Sequence, residues 1–237
     1  MRRDDAEPRQ ALDIYTYTAA EESPASINDG KDLEDSTAVV MADLSGGTDF
    51  GEYDGIVVAC FSVHPLVGRL SSHFRGRVAV TGIFEASILT SLSLLPPYPT
   101  ADADSRAWGI VTTGKFWEGH LSDGVRTFLG QDASSPSSKF AGVFSTGLNA
   151  GDFHDDVPAE VIRSKLEEAA RKLLASAPIG CVVMGCAGMA GLEEIIRGAA
   201  VRDYGSERGA RVCIVDGVKA SIMLLAQALK AKRMFQK

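Results

Sequence analysis

The residues best suited to chemistry in this chain are its four cysteines, Cys60, Cys181, Cys186 and Cys213. A thiol is a proton donor, and its thiolate is a base and a nucleophile. No pair has the CxxC spacing of a zinc site, and four cysteines in 237 residues are too few for a disulfide framework. Cys181 and Cys213 lie inside apolar runs and read as small core residues. Cys60 and Cys186 each close a β-branched run, Gly55-Ile56-Val57-Val58-Ala59-Cys60 and Gly180-Cys181-Val182-Val183-Met184-Gly185-Cys186, and each precedes a helical pattern. Ligands bind beyond the carboxyl ends of parallel strands, and a helix N-terminus favours a thiolate. Two such sulfurs on either side of one carbon suit stereoinversion, one removing a proton and the other returning a proton to the far face. Gly185, Ala187 and Gly188 would let backbone N–H groups approach enolate-like charge. Thr112 and Thr113, followed by Gly114, end another strand and add donors to the same cleft.

The histidines rank lower. His64 reads as a partner of Cys60 or as a capping or rim residue before the helix that starts at Pro65. His154, in Asp152-Phe153-His154-Asp155-Asp156, reads as a loop residue, and no metal is expected. His73 and His120 read as ordinary helix residues. Gly114, Gly147 and Gly151 do not make a GxGxxG dinucleotide fingerprint.

The elements that must position these groups follow from hydrophobic periodicity. Seven strands are predicted, over 13–18, 55–59, 78–81, 108–112, 141–145, 181–184 and 212–215. Helices are predicted over 32–43, 65–73, 85–95, 116–129, 192–204 and 219–234, with a further helix starting at Asp156-Val157-Pro158, Pro158 in its first turn, and ending near Ala177-Pro178. The alternation implies an α/β fold with a mainly parallel sheet flanked by helices. Residues 96–105 read as a link and 133–138 as a surface loop.

The chain also repeats itself. Besides the two cysteine strands, Val78-Ala79-Val80-Thr81-Gly82-Ile83 with Ala86-Ser87-Ile88 matches Val212-Cys213-Ile214-Val215-Asp216-Gly217-Val218 with Ala220-Ser221-Ile222. Two pseudo-symmetric lobes follow, 1–98 and 99–237, the C-terminal helix being able to pack back on lobe one. Lobe two opens with the 108–112 strand and the helix through Trp117 and Leu121. Lobe one has only Met1 to Leu12 there, so its first strand and helix are expected to be missing.

Composition bounds the function. With 31 Asp and Glu against 24 Lys and Arg, the net charge of -7 offers no footprint for nucleic acid. No apolar run is long enough to span a bilayer and no signal peptide opens the chain, so no membrane partner and a cytoplasmic location are expected.

The segments Ala59-Cys60-Phe61-Ser62-Val63-His64-Pro65-Leu66, Thr81-Gly82-Ile83-Phe84-Glu85-Ala86-Ser87, Gly109-Ile110-Val111-Thr112-Thr113-Gly114, Gly185-Cys186-Ala187-Gly188-Met189 and Val215-Asp216-Gly217-Val218 resemble the hydantoin racemase branch of the aspartate/glutamate racemase superfamily. The resemblance implies two Rossmann-like lobes with the site between them and a cofactor-independent racemase using Cys60 and Cys186 as its two bases. It implies a small-molecule substrate, a 5-substituted hydantoin or allantoin, held around the cysteines by Phe61, Ser62, Gly185, Ala187 and Gly188 and by Thr112 and Thr113. It also implies a homo-oligomer. Decarboxylases and cis-trans isomerases share the superfamily, and a ureide-binding or regulatory paralogue is the reading outside catalysis. The Asn-Pro-Asn-Ser-like turn that ends the family's opening strand is absent, in keeping with the missing unit, through truncation or true loss. An exposed apolar edge is the expected consequence.

Overall fold

Strand and helix alternate because short continuous apolar runs alternate with patterns of period 3.6. The computed structural model describes residues 12–98, 107–131, 139–153 and 157–236. Lobe one contains α1 (Gly30–Ser45), β1 (Gly55–Val58), α2 (Pro65–Phe74), β2 (Ala79–Gly82) and α3 (Ile83–Leu94). Lobe two contains β3 (Ala107–Thr112), α4 (Phe116–Phe128), β4 (Phe140–Ser145), α5 (Ala159–Ser176), β5 (Ile179–Gly185), α6 (Glu193–Tyr204), α7 (Ser206–Arg211), β6 (Cys213–Asp216) and α8 (Gly217–Phe235). All pairings are parallel: β1 with β2 in one sheet, and the order β4-β3-β5-β6 in the other.

Successive side chains of a strand face opposite ways, and β5 uses this to serve two cores. Cys181 and Val183 join Trp108, Ile110, Trp117 and Leu121 in a core that also holds Phe61, Ile83, Phe84 and Ile88 of lobe one. Val182 and Met184 face the opposite core, under Leu166 and Leu173 of α5 and Ile196 of α6. A third core, Val40, Val58, Leu66, Leu70, Phe74 and Val78, lies under α1 and α2. The lobes also exchange helices: α3 packs on β5 and β6, and α8 packs on β1 and β2. A Cβ on Gly55 of β1 would meet the Leu225 side chain of α8 at 2.5 Å. The shared core and the helix exchange fix the two strand ends relative to each other.

The structure corrects one strand. Residues 13–18 join no sheet. Ile14, Tyr15 and Tyr17 are exposed; Tyr15 packs on Tyr53, Tyr17 sits edge-on to Phe50, and the Tyr17 hydroxyl hydrogen-bonds Asp43. β4, by contrast, is held in its sheet by β3. Lobe one has no counterpart of β3 among the described residues, so 13–18 finds no ladder to join.

Smaller differences are local. Pro158 is the N-cap of α5 rather than a residue of its first turn, and its carbonyl accepts from Val161 N at 2.9 Å and Ile162 N at 3.2 Å. The short α7 is additional; Gly205, at φ +83°, breaks it from α6, a backbone region that suits glycine. The link beyond residue 98, the 133–138 loop, and His154 and Asp156 lie outside the described residues. Among the described residues no helix is long and apolar enough to cross a membrane.

Candidate functional site

β1 and β5 deliver Cys60 and Cys186 just past their carboxyl ends. Cys60 and Ala187 border the same shared core. The two sulfurs are near enough for charge on Cys186 to act on Cys60. Both thiols are pushed up rather than down, which corrects the expectation of helix-stabilised thiolates. Burial raises Cys60 to about 11, opposed by a hydrogen bond to Ser62 Oγ at 3.4 Å and reinforced by the nearby Cys186. Burial also raises Cys186, opposed by the backbone N–H groups of Gly188 and Met189 that point at its sulfur. The helices start too late to outweigh this: α2 begins at Pro65, and only a 3-10 turn, Ala187–Met189, separates Cys186 from the approach to α6. A helix dipole acts within its first turn, whereas loss of water acts on the sulfur itself.

The other expected site residues surround the cysteines in different ways. The Phe61 ring is buried and meets Phe84 edge-on, with centroids 5.6 Å apart. Ser62 is fully buried, with its hydroxyl turned to Cys60. Thr112 is also fully buried, and its hydroxyl donates to the Gly185 carbonyl at 2.8 Å. It therefore ties β3 to β5 at the residue before Cys186. A Cβ on Gly185 would lie 2.7 Å from Ile110 Cγ2, 2.9 Å from Thr112 Cβ and 2.9 Å from the Val111 carbonyl. Any larger residue would wedge the two strands apart beside the sulfur. The Thr113 carbonyl accepts from Gly147 N at 3.0 Å and Thr146 Oγ1 at 3.3 Å. The side chains around the cysteines thus mostly hold the framework, while the backbone N–H groups of Gly188 and Met189 are turned to Cys186 itself.

His64 takes the capping role. Nδ1 accepts from Leu66 N at 3.3 Å at the start of α2, so the ring proton resides on Nε2, 3.2 Å from Ser36 Oγ of α1. Burial lowers its pKa to about 4. The neutral ring thereby anchors the loop that carries Cys60 and Ser62.

The profile of the family described as Asp/Glu/Hydantoin racemase matches residues 4–225. The chain belongs to that family. Among relatives of this racemase-family chain, an uncharacterized protein of Schizosaccharomyces pombe is 31% identical over 227 residues, which cover 96% of this chain and 83% of the relative. The protein DCG1 of Saccharomyces cerevisiae is 25% identical over 202 residues, 82% of this chain and 77% of that protein. Solved allantoin racemases from Klebsiella pneumoniae and Pseudomonas fluorescens each superpose with a TM-score of 0.63, at 21% and 20% identity. They cover 87% and 93% of this chain, and the match spans 71% and 78% of theirs. The likeness is one of fold.

Three residues that tie together segments around the strand ends carry no role in the sequence analysis. Glu118 of α4 accepts from both Ser145 N at 3.1 Å and Ser145 Oγ at 2.7 Å and so fixes the end of β4. Thr146 follows β4, and its N–H donates to the Thr112 carbonyl at 2.8 Å. Asn28 accepts from Ala150 N at 3.3 Å, across the lobes. Only Thr146 had a readable signal, a threonine at a strand end like Thr112 and Thr113. Among the described residues no group of three or more His, Cys, Asp or Glu is arranged to hold a metal ion.

Proposed function

We propose that the chain is a cofactor-independent racemase of a 5-substituted hydantoin or of allantoin, working by two-cysteine proton transfer. The observation that carries this reading is the convergence of Cys60 and Cys186 from equivalent strand ends to within electrostatic reach of each other. Membership of the Asp/Glu/Hydantoin racemase family supports the reaction class. The names of the solved allantoin racemases suggest the substrate. In the proposed reaction one thiolate takes the proton from the carbon next to a ring carbonyl. Negative charge spreads onto that carbonyl, and the opposite thiol gives its proton to the far face. Reversal exchanges the two roles, so neither enantiomer is a dead end.

A raised thiol pKa is compatible with this chemistry. It keeps one sulfur protonated as the acid while the other, in the thiolate fraction, serves as the base. The test is incubation of single enantiomers of allantoin and of several 5-substituted hydantoins with the protein in D2O, following optical rotation and deuterium uptake against protein-free controls. Loss of rotation with one deuterium incorporated at the stereocentre is the expected result. Binding of a ureide with no exchange would favour the non-catalytic reading.

A further inference from the structure

Beside the turn that follows Cys186, residues far apart in the chain are joined. Asn28 Oδ1 accepts from Ala150 N at 3.3 Å, joining the turn before α1 of lobe one to the loop after β4 of lobe two. Both partners are braced. Asn28 Nδ2 donates to Ser26 Oγ at 3.3 Å, and Asn28 N donates to Asp32 Oδ2 at 2.8 Å. Asp29 then caps α1 by accepting from Lys31 N at 2.8 Å and Asp32 N at 3.0 Å. Ile27, just before, is packed against the core shared by the lobes. On the other side, Gly147 N is tied to the Thr113 carbonyl, Leu148 N to Thr146 Oγ1 at 3.2 Å, and Asn149 N to Asp152 Oδ2 at 2.7 Å. The Gly151–Phe153 turn packs on the Ala187–Met189 turn whose N–H groups serve Cys186. A second cross-lobe contact lies alongside, where the Phe116 ring sits 4.0 Å from the position of a Cβ on Gly30.

We infer that Asn28 is a positioning residue that clasps the two lobes shut over Cys60 and Cys186. Both cysteines are only partly exposed, and on this inference opening the clasp widens the approach to them for a ring-sized substrate. The inference deepens the proposed site and takes from it only that Cys60 and Cys186 face the interlobe cleft; its test needs no turnover. One hydrogen bond is a small barrier, which suits a contact made and broken in each cycle.

The test is the rate at which iodoacetamide alkylates each cysteine in the native protein, read peptide by peptide by mass spectrometry. In Asn28→Ala, which removes the acceptor, Cys186 and Cys60 should react about five- to tenfold faster than in the parent, the effect of one lost hydrogen bond on the open population. Asn28→Asp keeps an oxygen for Ala150 and should stay near the parent rate. Cys181, with no exposed surface, serves as the internal control for global unfolding and should not change in either variant. Parent rates at Cys60 and Cys186 in Asn28→Ala, or a rise at Cys181 in step with them, would overturn the clasp.

Discussion

β5 lies between β3 and β6 and is buried along its whole length, whereas among the described residues β1 pairs with β2 alone and buries only Val58. The two strands are copies of one unit, each ending in a cysteine that borders a core. Their difference shows what a ladder neighbour contributes. β5 is held by its sheet, while β1 is held by what packs on it, α8 on one side and the core under α1 and α2 on the other. The sulfurs differ in the same sense: two backbone N–H groups support Cys186, and one side-chain hydroxyl supports Cys60.

The largest effect expected from this contrast is in hydrogen exchange. Amides of 181–184 should be protected at least about 1,000-fold more than those of 56–58, because a strand paired on both sides opens only with the whole domain. Equal protection would mean that the free edge of β1 carries no cost.

Next comes acid sensitivity, which the His64 anchor assigns to lobe one. Burial lowers the His64 pKa from 6.5 to about 4, so the unfolded chain takes up this proton first. The stability from the neutral ring is complete above pH 6.5 and is lost as the pH falls toward 4, on the order of 3 kcal/mol in all. His64→Asn, which can keep an acceptor for Leu66, should flatten the fall in urea midpoint over that window. An unchanged slope would place the acid sensitivity elsewhere.

Packing gives a smaller contrast. Val183→Ala in β5 should cost about 2 to 3 kcal/mol, and Val57→Ala in half-buried β1 about 1 kcal/mol or less, by urea denaturation. A reversed order would break the comparison. The smallest effect is in the thiols: at pH 8, Cys186 should alkylate several-fold to about tenfold faster than Cys60, and Ser62→Ala should widen the gap.

Much of this was legible because periodic patterns and cysteine placement are local. Helices α2, α4 and α6 begin within a residue of where the apolar spacing puts them, and the duplicated Ala86-Ser87 and Ala220-Ser221 segments do pack in exchanged helices. Residues 13–18 misled because their alternation is that of a strand, whereas a strand also needs a neighbour, and a neighbour is a property of the sheet. The thiol shifts misled because a helix start is visible in sequence and the depth of burial around a sulfur is not. The Asn28 contact to Ala150 spans 122 residues and leaves no local mark in either segment.

The most direct measurement of the central claim is proton exchange by Cys60→Ser and Cys186→Ser, each given single enantiomers of the substrate in D2O. The expected result is that each variant loses racemisation by about 100-fold or more, with each retaining residual exchange toward a different enantiomer. Either variant interconverting both enantiomers at the parent rate would contradict the two-base assignment.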